Sequence, residues 1–533
     1  IPMTAGSQPP ASATRGAEPR LAPARQQHTA GSAAALLMGS ALLSGLLGLV
    51  RIKYIAFLFG AGVEQDAYRA AFKLPDLLAY FLVGSAASVS MITMLNRFLE
   101  TGDEEGADRA LSVVLTTMFA SLAGVMVLAA IAAPLFVRVA YGEMFLHDAR
   151  GPLCISLTRW LLPAQLFFFI GSMMSARLQV RKIFLYQALT PVIYNGGIVL
   201  GAVMFHRRFG VYSLVIGVLA GVVLGSALLN TLGALRTGLH LRPRIGFRDP
   251  AFVAWLRAAA PLMLGVSLVM FDGIFFNRFA SGQVGQLTLI NTAKDLFNAP
   301  FNIIGPAAGT ASLPFFASLF QRRLMVEFSS SVGRSVSRLF AVGLLVSAWM
   351  LAVAPWLMDL LRGGLFNHAD AAETTHLFRI FAVSLALWAV QGIYARAFYA
   401  ASDTVTPAIA GTTVVLLSLP IYWALFRAFG MPGLAFASDI GILIQTAALA
   451  LLLHRRRLVS LADLDGQEVL RALVAAVLAF AAAAAVVRTL PPLAGHRGDL
   501  ITITLATAVW GAAAAAMLLA TGSALPRQIL HRR

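Results

Sequence analysis

Asp66, Arg69, Lys73 and Asp76 stand three, four and three residues apart in the stretch QDAYRAAFKLPDLLAYF, Gln65 to Phe81, and Tyr80 follows four later. On a helix that spacing sets all five on one side. Arg51 and Lys53 lie just upstream, with Ser44, Gly48 and Arg51 at helical spacing, and Asp272 and the adjacent Lys294 and Asp295 lie in the second half of the chain. Guanidinium and ammonium groups bind phosphate oxygens through charge-assisted hydrogen bonds, so such a set suits the recognition of an anion. The alternative is that Asp66 with Arg69, or Lys73 with Asp76, form ion pairs that only satisfy one another. Bond-making chemistry has no comparable signal. The sequence contains no GxxxxGK[ST] loop, no HExxH and no GxSxG. It reads as a non-enzyme with no cofactor and no metal site, and not as an ATP-driven pump.

The elements that carry these charges are apolar. Of 533 residues, 59% are hydrophobic and 12% charged, where a soluble domain has about a quarter charged, and the mean hydropathy is +0.78. Runs of roughly 20 apolar residues, each long enough to cross a bilayer, recur from Ala33 onwards. The fold class is therefore all-α and polytopic, with about 14 transmembrane helices. The spans near 66–95 and 285–319 depart most from the pattern, because both carry charges and prolines. A charge facing lipid costs at least about 2.5 to 3.5 kcal/mol, so the helix-2 stripe is expected to face the bundle interior or a water-filled cavity. Pro75 is expected to bend that helix. Arg177, Arg396 and Asp403 fall at helix ends, where anchoring or capping competes with ligand contact. The LFFFI run, Leu166 to Ile170, reads as lipid-facing packing, and the single cysteine, Cys154, as a packing residue with no disulfide or metal role.

The formal charge of +17 is spread over loops, not gathered on a nucleic-acid-binding face. Arginines crowd the even-numbered connections, and the positive-inside rule then places those loops and both termini in the cytoplasm. The acidic connection ETGDEEGAD falls on that same side. Residues 1–30 read as a disordered cytoplasmic tail without the apolar core of a signal peptide. Because the chain opens on Ile, the start is expected upstream.

Two halves of the chain echo each other. Lys73 and Lys294, 221 residues apart, are each followed eleven residues later by GSAASVSM and GPAAGTASLP; Arg177 and Arg396 are 219 apart, and the TP pairs ending at Pro191 and Pro407 are 216 apart. Six helices separate the copies, which implies two pseudo-symmetric six-helix lobes in the same orientation. The division is 31–240 for the first lobe, 241–457 for the second, and 458–533 for helices 13 and 14 with a short tail.

With these residues in view, SGLLGLVRIKYIAFLFGAGVEQDAYRAAFKLPDLL resembles the first two helices of the MurJ/MviN lipid II flippases of the MOP exporter superfamily. PLMLGVSLVMFDGIFFNRFASG, GPAAGTASLP and RAFYAASDTVTP continue the match in order and spacing. The resemblance implies a V-shaped pair of lobes in the bacterial inner membrane. Its cargo would be an undecaprenyl-pyrophosphate-linked disaccharide-pentapeptide, moved from the cytoplasmic to the periplasmic leaflet by alternating access. Arg51 would match the family's central-cavity arginine and Asp66 its cavity aspartate. The sequence departs from the family pattern at Gly45, Ile52, Ala79, Tyr80 and Gly84, and Lys294-Asp295 reverses a usual Asp-Arg order.

The expected headgroup site is Arg51, Asp66, Arg69, Lys73, Asp76, Lys294 and Asp295, with Lys53, Asp272, Arg396 and Asp403 as a second tier. Anionic membrane lipids are expected partners. A sodium ion, a proton or the membrane potential is the expected source of drive. Other readings within this fold are a flippase for a different lipid-linked oligosaccharide, a cation-coupled drug exporter, and a non-transporting scaffold.

Overall fold

The computed structural model describes residues 30–83, 85–265, 276–490, 495–523 and 525. Among them the only regular structure besides helix is one isolated bridge between Gly363 and Phe366. The first half contains α1 (Ala30–Phe59), α2 (Val63–Ala71), α3 (Lys73–Leu78), α4 (Ser85–Glu100), α5 (Glu104–Tyr141), α6 (Glu143–His147), α7 (Arg150–Leu161), α8 (Ala164–Val180), α9 (Leu185–Phe209), α10 (Tyr212–Gly221) and α11 (Leu229–Leu235). The second contains α12 (Pro250–Gly265), α13 (Gln286–Gln321), α14 (Met325–Asp359), α15 (His368–Val383), α16 (Leu385–Ala400), α17 (Val405–Phe429), α18 (Met431–Arg455), α19 (Gly466–Thr489) and α20 (Gly495–Ala520). Two π-helical turns, Ala79–Val83 and Val222–Leu228, interrupt the second and sixth expected spans.

Ten helices among the described residues are long and apolar enough to cross a membrane, and α15 with α16, bent by 42°, makes an eleventh. The other three of the fourteen expected spans differ for physical reasons. The second is broken into α2, α3, a π turn and α4. The seventh begins as α12 and runs into residues 266–275, outside the description. The eighth is the single 36-residue helix α13, which carries Lys294 and Asp295.

Consecutive helices alternate between two ends of the bundle, one marked by Gly60 and the other by Gly102. The packing is continuous across the lobes near the Gly60 end, where one core joins Tyr68, Tyr141 and Phe145 of the first half to Phe276, Leu287 and Phe378 of the second. A second core fills the first lobe and takes in Phe252, Trp255 and Ala259 of α12. Phe169 is fully buried in it, so the LFFFI run packs partly inward and not only against lipid. Cys154 is likewise buried. Helices α19 and α20 pack on α14 through alanines, among them Ala472, Ala475 and Ala479.

At the Gly102 end the internal repeat is visible in hydrogen bonds. The chain leaving α11 lies along α5: His240 N donates to Asp108 (2.9 Å), Arg242 N to Ser112 (3.1 Å), Arg244 N to Thr116 (3.2 Å) and Gly246 N to Thr117 (2.9 Å). Every second residue of an extended segment thus meets successive turns of a helix. The chain leaving α18 does the same along α14, where Ser460 N donates to Ser329 (2.8 Å) and Asp465 N to Ser337 (2.9 Å). Asp108 and Ser329, Thr116 and Ser337, and Arg244 and Asp465 are each 221 residues apart. The acidic ETGDEEGAD connection is explained here too. Asp103 caps α5 by accepting from Gly106 N (2.8 Å), and Glu104 and Asp108 hold the buried Arg177 and Arg181.

Candidate functional site

Pro75 decides the geometry of the second span. It has no N–H to give the carbonyl four residues earlier, Ala71, so the helix cannot continue unsupported in an apolar interior. The freed groups find partners in neighbouring helices: Thr158 Oγ1 of α7 donates to Ala71 O (3.3 Å), and Tyr141 OH at the end of α5 donates to Ala70 O (3.0 Å). The π turn that follows shifts the register again. The ionisable stripe is divided by depth along the span: Asp66, one turn nearer the Gly60 end, meets the contact between the lobes, and Arg69, Lys73 and Asp76 meet the space below it.

Asp66, fully buried, enters the contact between the lobes at the Gly60 end. Its Oδ1 accepts from Thr288 N (2.9 Å) and Thr288 Oγ1 (2.6 Å), and its Oδ2 from Gly285 N (2.7 Å) and Arg150 Nη1 (3.2 Å). Gly285 is the N-cap of α13. A carboxylate of the first lobe therefore caps a helix of the second, where free N–H groups and the helix dipole both favour negative charge. Arg150 is itself held by Asp148 and by Gln283 O, and lies 4.7 Å over the Phe145 ring. Gly285 has φ +89°, and a Cβ there would stand 2.7 Å from Ala61 O, so the two backbones approach this closely only with glycine. Leu365 N to Phe57 O (3.0 Å), Lys53 Nζ to Arg362 O (2.6 Å) and Arg278 Nη1 to Tyr141 O (3.0 Å) extend the seam.

One step deeper, a cavity of about 350 Å³ lies between the lobes, lined by Arg51, Arg69, Lys73 and Asp76 of the first lobe and Asn277, Asn291 and Asp295 of the second. Arg69 bridges it, donating to Asp295 Oδ2 (2.8 Å) and Thr292 Oγ1 (2.9 Å). Arg51 makes no hydrogen bond or ion pair with any described side chain, and the Asp76 carboxylate accepts no hydrogen bond from one. With three cations against two carboxylates, and one of those carboxylates already occupied by Arg69, the space offers an anion at least one uncommitted guanidinium.

Five of the seven first-tier residues are thus brought together around the cavity: Arg51, Arg69, Lys73, Asp76 and Asp295. Asp66 sits in the seam instead. Lys294 points away into the second lobe, with its Nζ 4.5 Å over the Phe276 ring and Asp439 within electrostatic reach. Of the second tier, Lys53 belongs to the seam, 3.2 Å from His496, and Asp272 lies outside the described residues. Arg396 and Asp403 are at the Gly102 end and do not line this cavity. Asp403 is a cap with an ion pair. Burial works against its ionisation, but the Thr406 N–H and hydroxyl and the Arg456 guanidinium outweigh it and hold the carboxyl below the usual carboxylate range.

Arg150, Thr288 and Asp439 were not expected from the sequence. Asp439 carried a signal, being an acid within the apolar run MPGLAFASDIGILIQ. Arg150 and Thr288 carried none, because their partner is remote in the chain.

Comparison with known proteins agrees with this architecture. The profile of a family described as "Lipid II flippase MurJ" matches residues 55–507. A lipid II flippase MurJ from Burkholderia cenocepacia is 27% identical over 429 residues, covering 78% of this chain and 82% of that protein. A probable lipid II flippase MurJ from Borreliella burgdorferi is 23% identical over 413 residues, covering 77% and 80%. Among solved structures, a lipid II flippase MurJ in an inward closed conformation superposes with a TM-score of 0.73 at 18% identity, covering 91% of this chain and 99% of that one. An inward-facing multidrug resistance MATE transporter of the MOP superfamily gives 0.65 at 16% identity, covering 80% and 98%. At such identities the structural likeness establishes the fold.

Proposed function

From the premise that this chain belongs to the lipid II flippase MurJ family, we propose that it moves a polyprenyl-pyrophosphate-linked peptidoglycan precursor across the bacterial inner membrane by alternating access. The observation that carries this reading is the cavity between the lobes, where Arg51, Arg69 and Lys73 surround a space of about 350 Å³. Arginine presents a planar fork that meets two phosphate oxygens at once. The isoprenoid chain stays in lipid while the pyrophosphate enters. The Gly102 end, with its arginine-rich connections, is the cytoplasmic side under the positive-inside rule, and the seam at the Gly60 end is the closed periplasmic gate.

Substrate binding and gate opening are linked through Arg69. A pyrophosphate oxygen entering the cavity competes with Asp295 for the guanidinium, and loss of that pair removes one tie between the lobes. A ligand shifts such an equilibrium only by its differential affinity for the two states, and displacement of Asp295 supplies a difference. The membrane potential adds about 2.3 kcal/mol per charge per 100 mV, favouring outward movement of the anion or inward return of a cation. The strap along α5 bears exposed Arg242, Arg244 and Arg248 beside exposed Ile245 and Phe247, a combination suited to anionic lipid headgroups at the cytoplasmic surface.

The test is rescue of a bacterial strain depleted of its own lipid II flippase. The wild-type chain is expected to restore growth, and Arg51→Ala with Lys73→Ala to fail although the protein reaches the membrane. Failure of the wild type under the same control rejects the proposal, and rescue by the double variant rejects the cationic cavity as the site.

A further inference from the structure

A second cavity, of about 650 Å³, lies inside the first lobe, walled by the broken second span, by α8 and α9, and by the π turn before α11. It shares Phe72, Asp76 and Tyr194 with the central cavity, so the two spaces adjoin at these residues. Their chemistry differs. Among the described residues, no Lys, Arg or His lines the second one. Apart from the shared Asp76, its polar lining consists of side-chain amides, including Gln165, Gln187 and Asn230, and of hydroxyls such as Ser172 and Thr190.

Several of these amides are unsatisfied. Gln165 and Asn230 are 5% and 2% exposed, and each keeps a side-chain carbonyl oxygen with no hydrogen-bond partner, as does Gln187. For Asn230 the orientation of the amide is set by its surroundings: Nδ2 donates to Ser226 O (2.8 Å) and Thr190 Oγ1 (3.0 Å), which leaves Oδ1 as the unused end. Buried acceptors without donors are unfavourable; these three oxygens are turned away from the open space as the side chains stand, and a ligand rich in O–H and N–H groups that drew the amides toward the cavity would satisfy them. A pyrophosphate has acceptors only and would meet the Asp76 carboxylate here without the Arg51, Arg69 and Lys73 cations that offset it in the central cavity. A bare metal ion fits no better, since no group of three or more His, Cys, Asp or Glu suited to one occurs among the described residues.

We propose that this cavity receives the uncharged disaccharide of the headgroup, while the adjoining central cavity holds its pyrophosphate. The inference rests on the flippase reading above. Charge sorts the two ends of one ligand: the anionic end goes to the guanidinium groups, and the hydroxyl- and amide-bearing end goes to side chains that both donate and accept. Gln165, Gln187 and Asn230 are then specificity-determining residues for the glycan, without contact to phosphate.

Affinity measurements on purified protein in nanodiscs test this, with lipid II and undecaprenyl pyrophosphate as the two probes. Wild type is expected to bind lipid II more tightly. Gln165→Leu should weaken lipid II binding by about tenfold, the weight of roughly one hydrogen bond to a buried group, and leave undecaprenyl pyrophosphate within about twofold. Gln187→Leu, at a separate position, should sort the two probes in the same way. Equal loss for both probes, or loss for neither, overturns the inference, as does equal binding of the two by wild type. If wild type binds neither probe, the flippase reading itself has failed.

Discussion

Asp66 and Asp76 stand ten residues apart on one interrupted helix, yet their surroundings are opposite. Asp66 accepts four hydrogen bonds, from Gly285, Arg150 and twice from Thr288, in a site closed to water. Asp76 accepts none from a described residue and borders two cavities. A saturated carboxylate at a helix N-terminus is a structural tie, and one that accepts no hydrogen bond from a described residue, beside the Arg51 guanidinium, is open to a ligand. The same side chain therefore ties the lobes together in one place and sets the charge of the cavity in the other. What separates them is depth along the span: Asp66 lies level with the N-terminus of α13, and Arg69, Lys73 and Asp76 lie below it beside the cavity.

The largest way to break this contrast is Asp66→Ala. It strands Arg150 and three donors in a buried seam, and removing one partner of a buried pair costs about 3 to 5 kcal/mol. A marked fall in thermal unfolding temperature in detergent is expected, and an unchanged one would show that the seam does not depend on this cap. Next is Arg51→Ala. It should lower affinity for undecaprenyl pyrophosphate by roughly 10- to 100-fold, as the loss of one hydrogen bond to a charged group does, with unfolding temperature unaffected because Arg51 ties nothing together. A smaller effect of opposite sign is expected for Asp76→Asn. Removing a negative charge beside the anion should tighten binding by about fivefold, an effect of about 1 kcal/mol at the effective dielectric of a partly wet site; weaker binding would assign Asp76 a direct ligand contact. The smallest is Thr158→Val, which removes the donor that replaces Pro75 at Ala71 O. Thermal unfolding should register a loss of about 1 kcal/mol, and no change would mean that water serves that carbonyl equally well.

A second contrast concerns the two straps. Asp108 and Ser329 occupy equivalent places and each accepts a strap N–H, but only Asp108 also pairs with a buried arginine, Arg177 (3.0 Å). Its counterpart Ser329 donates instead to Asp463. The repeat thus conserves a backbone bond while its side-chain chemistry has diverged between the lobes. The 221-residue offset first seen at Lys73 and Lys294 returns in these bonds, although Lys73 faces the cavity and Lys294 does not.

Much of the architecture was legible in the chain itself, because bilayer thickness and the cost of bare backbone in lipid translate hydropathy directly into helices. The repeat, the bend at Pro75, and the clustering of Arg51, Arg69, Lys73, Asp76 and Asp295 follow from local composition and from charges that cannot face lipid. Helical periodicity placed Asp66 on the same face as Arg69 and Asp76, but a face does not say which partner stands at each depth along it. Only the tertiary structure shows that Asp66 caps α13 from across the seam, that Lys294 turns to Asp439, and that Gln165 and Asn230 wall a separate cavity. Those outcomes depend on partners 65 to 219 residues away in the chain. Hydrogen bonds select by distance and direction in space, and spacing along a sequence carries neither.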